Sequence, residues 1–148
     1  MSCITTVSFS VLINGAVTPF FHAERGLRQG FPLSPLLFLL VTEGLSLLLK
    51  KEHSDGNLND IAIAQHLQIT NLLFMDDVLI FCFGSVHDVN TISDIISLFS
   101  TTTGMEINDG KSTLTTHRLD DEEVGHATHF FPFICASLDD GLKYLGFY

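Results

Sequence analysis

Tryptophan is absent, tyrosine occurs twice, and only seven of the 148 residues are Lys or Arg. Against 17 Asp and Glu these leave a formal charge of −10, the wrong sign for a domain that grips nucleic acid unaided through a basic face. Cysteine is also sparse. Cys3, Cys82 and Cys135 are odd in number and far apart, which argues against a disulfide framework and reads as buried thiols of a reducing, intracellular compartment, nucleus or cytoplasm being left open. No apolar run reaches membrane-spanning length. The most apolar stretch, Leu33 to Leu49, has Pro35 near its start, Glu43 and Gly44 in its middle and Lys50 and Lys51 behind it, whereas a spanning helix needs about 20 nearly uninterrupted apolar residues. A core helix and no membrane partner are expected. Met1 to Ser10 carries no basic segment and no compact apolar region, so no signal peptide is read. There is no Ser/Pro/Gly-rich linker and no internal repeat, and with 46% hydrophobic residues the chain is expected to be one domain, 1–148.

What is present is a series of short, well-punctuated elements. Val7, Phe9, Val11 and Ile13 alternate with Ser8, Ser10 and Leu12 before Asn14-Gly15, a dipeptide suited to a turn with positive φ at both central positions. Val17 to His22 returns as a strand in which Pro19 removes a ladder donor and implies an edge or a bulge. Ser34-Pro35 opens a helix over Leu36 to Lys51, expected to be largely buried, and residues 53 to 60 form a polar loop. Val89, Ile92, Ile95 or Ile96 and Phe99 share a helical stripe between a start signal, Ser85 with Asp88, and a stop at Gly104. After a turn at Asp109-Gly110, Thr113 to Thr116 suits a short strand. The acid run Asp120 to Glu123 reads as a solvated loop. His126, His129 and Cys135 match no standard zinc-ligand spacing.

Two apolar runs, Leu72-Leu73-Phe74-Met75 and Val78 to Phe83, are separated only by Asp76-Asp77. This is a β-hairpin with two carboxylates at its bend. Apolar strands that anchor adjacent hard-oxygen ligands make a rigid site for divalent cations, as phosphoryl transfer requires, although Asp is also an ordinary turn residue.

The order of segments resembles the non-LTR (LINE-type) retrotransposon reverse transcriptases, particularly those of plants. Gly26-Leu27-Arg28-Gln29-Gly30-Phe31-Pro32-Leu33-Ser34-Pro35 is similar to that family's motif B, and Phe74-Met75-Asp76-Asp77 to its catalytic motif C. Gly104 to Asn108 with Lys111-Ser112 resembles motif D, and Tyr144-Leu145-Gly146 the motif E turn. The resemblance implies an α+β palm, an antiparallel sheet with two packed helices, and a reaction of RNA-directed DNA synthesis with Mg²⁺ or Mn²⁺ as cofactor and an RNA template, a DNA primer and dNTP as partners. It implies that Asp76 is a direct metal ligand and Asp77 its weaker neighbour. Gln29, Gly30 and Phe31 would lie by the nucleotide and template, and Arg28 by a phosphate. Lys111 would act as general acid toward pyrophosphate, provided its pKa is lowered, and Tyr144, Leu145 and Gly146 would steady the primer end.

The chain departs from that family in three places. Phe31 sets a bulky ring where a small or acidic residue is usual, and Met75 stands where Ala or Val is usual. The third metal-binding Asp, on a strand upstream of motif B, has no counterpart: Asp55 and Asp60 lie in the loop between motifs B and C, and Glu43 lies on the apolar helix. The expectation is a partial palm lacking fingers, first catalytic strand and thumb. It would be inactive alone, bind nucleic acid weakly and leave an apolar sheet edge open. A non-catalytic remnant serving as a nucleic-acid-binding or interaction module is the rival reading; a plain α+β domain whose Asp pair is only a turn is the other.

Overall fold

The computed structural model describes residues 7–24, 26, 27, 30–59, 61–64 and 67–141. Arg28, Gln29 and Tyr144 to Gly146 lie outside the described residues, as does Asp60. The chain divides into two units, Met1–Val41 and Thr42–Tyr148.

In the first unit β1 (Ser8–Phe9), β2 (Leu12–Ile13), β3 (Ala16–Val17) and β4 (Phe21–His22) make one hairpin in two pieces. Asn14 and Gly15, with φ of 50° and 82°, form its turn and set Ile13 opposite Ala16. Farther out Phe9 pairs with Phe21, so Ser10 and Val11 face three residues, Thr18 to Phe20. That extra residue is a β-bulge containing Pro19, where the missing N–H interrupts no ladder. Ser10 Oγ donates to Thr18 O at 2.7 Å and the Val11 N–H donates to Thr18 Oγ1 at 2.9 Å, which satisfies the backbone there.

α1 (Ser34–Ser54) runs from the first unit into the second. Its first helical bond, Leu37 N–H to Leu33 O at 3.0 Å, begins one residue earlier than a Ser34 cap would give. The expectation that this helix is largely buried is not met. Thr42, Leu45, Ser46 and Leu49 are buried at the i, i+3, i+4, i+7 spacing of one stripe, while Leu36, Leu40 and Leu47 are 62%, 71% and 59% exposed. An apolar run such as Leu36 to Val41 carries no signal for which side meets a partner, and in this helix only the stripe through Thr42, Leu45, Ser46 and Leu49 is buried. Among the described residues no helix is long and apolar enough to cross a membrane.

The second unit holds the core: Leu45 and Leu49 of α1, Leu58 of the loop behind it, and Ile92 and Ile95 of α2 (Val86–Thr103). Ile80, Cys82, Phe99 and Phe131 pack around them, half-buried. α2 starts and stops as read: Ser85 and Asp88 form a reciprocal capping box, and Gly104, with φ 71°, closes the helix in the left-handed conformation. The loop before it is more ordered than its polarity suggests. Asn57 N–H and Leu58 N–H both donate to Glu52 O, and Leu58 is 1% exposed.

β5 (Ile61–Ala64) pairs with β6 (Leu67–Ile69), a hairpin no turn signal announced, and β7 (Asn71–Phe74) pairs with β8 (Asp77–Ile80) as expected. β9 (Thr113–Thr116) and β10 (Ile134–Ser137) are parallel, joined by α3 (Asp121–Phe130) as the crossover. The acid run is therefore a helix start. Asp120 caps α3, Glu123 reaches back to the Asp120 N–H at 3.1 Å, and three acids sit in the first turn, where the helix dipole favours them.

The described residues thus form three α-helices and five two-stranded sheets, four antiparallel and one parallel, rather than one antiparallel sheet with two helices. The mixed α and β class stands.

A candidate catalytic hairpin

β7 and β8 are in unbroken register, Asn71 with Ile80, Leu72 with Leu79, Leu73 with Val78 and Phe74 with Asp77, which leaves Met75 and Asp76 as a two-residue turn. Met75 has φ 53°. Among two-residue hairpin turns, positive φ at the first central position alone is the pattern that prefers Gly, so a side chain there holds strained backbone. Residues opposite one another share a face of the ribbon. Asn71, Leu73, Val78 and Ile80 make one face, which meets α1 through Asn71 and the core through Ile80. Leu72, Phe74, Asp77 and Leu79 make the other. Asp77 thus stands on the face turned from α1, and both Asp76 and Asp77 are exposed. Leu72 and Phe74 on that face are exposed too, at 41% and 51%, and the ribbon pairs with no third strand among the described residues.

The anchoring of this hairpin was not read from the sequence. Asn71 Nδ2 donates to Ser46 Oγ at 2.8 Å, and the signal was available: Thr42 and Ser46, one turn apart, are polar positions on the stripe that also carries Leu45 and Leu49. Behind β8, Asp88 is wholly buried and accepts from Ser85 Oγ at 2.7 Å and from both nitrogens of Asn59.

The other sequence-derived positions fall elsewhere. Gly30 has φ 79° with open space around it, so glycine is favoured there by the backbone angle. Phe31 is half-buried and its carbonyl accepts from the Ser34 N–H at 3.0 Å. Lys111 is exposed at the end of a turn in which its N–H donates to Asn108 O at 3.0 Å. Among the described residues it makes no hydrogen bond or ion pair to the hairpin. His126 and His129 set their rings edge-on to Phe130, at 5.1 and 5.4 Å. Among the described residues no three His, Cys, Asp or Glu side chains stand where one metal ion could be held. The carboxylates of Asp76 and Asp77 suit one hard cation; a two-cation site is not completed by what is described.

Comparison with known proteins gives the class: residues 2–148 match the reverse transcriptase (RNA-dependent DNA polymerase) family. The chain belongs to that family. It is 46% identical over 67 residues to an uncharacterized mitochondrial protein of Arabidopsis thaliana, covering 45% of this chain and 55% of that protein. It is 29% identical over 111 residues to the retrovirus-related Pol polyprotein of the type-1 retrotransposable element R2 of Popillia japonica, covering 75% of this chain and 17% of the polyprotein. The chain therefore spans about half of one relative and about a sixth of the other.

Proposed function

We propose that the chain is the palm portion of a LINE-type reverse transcriptase that carries the acid hairpin, and that alone it supports no measurable DNA synthesis. The exposed Asp76 in a tight turn and Asp77 at the strand end beside it, in a chain of the reverse transcriptase family, are the observation that carries the reading. In the parent reaction an RNA template, a DNA primer and a dNTP are brought together for nucleotidyl transfer. Asp76 and Asp77 would hold one Mg²⁺ or Mn²⁺, which when bound supplies Lewis-acid polarisation of a phosphoryl oxygen. Gln29, Gly30 and Phe31 are assigned to the nucleotide and template, Arg28 to a phosphate, Lys111 to pyrophosphate, and Tyr144, Leu145 and Gly146 to the primer. A third acid beside the pair is missing among the described residues, and misplacement of reacting groups by about 1 Å costs about 10²-fold in rate, which is why inactivity is expected.

Primer extension on an RNA template with dNTPs and Mg²⁺ or Mn²⁺ tests this. No incorporation is expected; incorporation abolished by Asp76→Ala overturns the inactivity and upholds the site. A second reading, a non-catalytic interaction module, is favoured by the unpaired ribbon and its exposed Leu72 and Phe74. It requires association with another chain or a primer–template while synthesis stays absent.

A further inference from the structure

α1 meets the core through one apolar stripe, Leu45 and Leu49 with Leu48 beside them. Apolar packing is non-directional, so such a helix is not fixed in rotation or depth against a neighbour by hydrophobic contact alone. A buried hydrogen bond is directional, because slippage strands both partners away from water. Ser46, 3% exposed, and Asn71, half-buried, make such a bond at 2.8 Å, and Thr70 Oγ1 donates to Asn71 Oδ1 at 3.1 Å, which orients the amide. Ser46 and Asn71 themselves border a groove of about 300 Å³ that Glu43, Lys50, Gln68 and Thr70 also line, so side-chain packing on that side of the bond does not supply the missing constraint.

We propose that Ser46 and Asn71 are positioning residues for the acid pair: their bond sets how the hairpin sits on α1 and so where Asp76 and Asp77 stand. The inference rests on the reading of that pair as cation ligands. Asn71 opens β7, and the register from Asn71 to Phe74 carries no irregularity, so the ribbon moves as a unit about this end. The turn begins four residues farther on, about 13 Å at the rise of a strand, and a tilt of about 4° at Asn71 displaces it by about 1 Å. That is the scale on which ligand and catalytic geometry fail.

The test compares the full chain with the Ser46→Ala/Asn71→Leu double variant, which replaces the bonded pair by apolar groups and so tends to preserve melting temperature. Three readouts are taken: thermal melting, the amide resonances of residues 71–80, and paramagnetic broadening of the Asp76 and Asp77 amides by Mn²⁺. Expected are a melting temperature near the parent's, doubled or broadened hairpin amides, and Mn²⁺ affinity lower by about tenfold, with Ser46→Thr, which keeps the hydroxyl, restoring single resonances. Unchanged single amides in a folded double variant overturn the proposal. Should the double variant not fold, Ser46→Ala alone is judged by the same spectrum. Should the parent itself show no Mn²⁺ broadening, the cation reading falls, while the amide resonances still decide whether the bond holds the hairpin in place.

Discussion

Asp88 Oδ1 accepts from both nitrogens of Asn59, the backbone N–H at 3.0 Å and the side-chain amide at 3.1 Å, across 29 residues of sequence. The same carboxylate, through Oδ2, accepts from Ser85 Oγ at 2.7 Å, so one wholly buried side chain caps α2 and ties the loop behind α1 to it. A buried carboxylate is tolerable only when its lone pairs are used, and here its partners are neutral donors.

Asp88→Ala removes an acceptor that serves the half-buried Ser85 and both nitrogens of Asn59, and leaves a void where the wholly buried carboxylate stood. A loss of about 3 kcal/mol is expected, a fall in melting temperature of about 6–12 °C for a chain of this size. Asp88→Asn keeps the shape and one acceptor and should lose about half as much. Urea unfolding measures both; an alanine variant within about 0.5 kcal/mol of the parent would show that the clamp adds nothing.

Met75 bears φ 53° at the first position of the Asp76 turn. A non-glycine residue in that region costs about 1–2 kcal/mol, and glycine returns part of this as chain entropy in the unfolded state. Met75→Gly is expected to raise stability by about 0.5–1 kcal/mol, read as a higher melting temperature. A drop would mean that the side chain, not the backbone, governs the turn.

Burial pushes the Cys82 thiol above its usual 9.0, the carboxylate of Asp88 adds to the rise, and a bond from the Gly84 backbone opposes it. Cys135 is exposed. With iodoacetamide at pH 8, peptide mapping should find Cys135 alkylated well before Cys82, whose modification should wait on unfolding. The sign for stability follows from the native state holding this proton more tightly than the unfolded chain. Near neutrality both states are protonated and nothing is contributed; as pH rises above 9.0 the unfolded thiol ionises first and stability falls.

How much of this was legible in the sequence depends on the range over which each signal acts. Asn14-Gly15, the Ser85 to Gly104 boundaries and the Asp76 hairpin are local, each set by a turn or a cap within a few residues; the first two were read correctly, while the hairpin's bend, expected at Asp76-Asp77, falls one residue earlier at Met75-Asp76 and leaves Asp77 paired with Phe74. The parallel pairing of β9 with β10 joins Thr113 to Ile134 and has no local mark. α3 was passed over because its charges dominate and only Val124 and Ala127 suggest a stripe, although Asp120 and Glu123 already spelled a capping box. The burial of α1 was overestimated because composition reports apolarity and not which side finds a partner. At the site the two carboxylates were visible as chemistry, while Asn71 and Ser46, ordinary polar residues 25 apart, acquire meaning only once folded.

Two adjacent exposed carboxylates at one turn repel each other and attract a hard cation, and these tendencies predict opposite responses to one substitution pair. Asp76→Asn with Asp77→Asn removes the repulsion, so without divalent ions the variant should melt at or slightly above the parent's temperature. With about 10 mM Mn²⁺ and a dissociation constant in the millimolar range, the parent should gain about 1 kcal/mol, a rise of about 2–4 °C, and the variant nothing. Scanning calorimetry at matched ionic strength separates cation binding from screening, because a monovalent salt of equal strength should relieve the repulsion without reproducing the full rise. If the variant keeps the whole Mn²⁺ response, the ion is held elsewhere and the acid pair is only a turn.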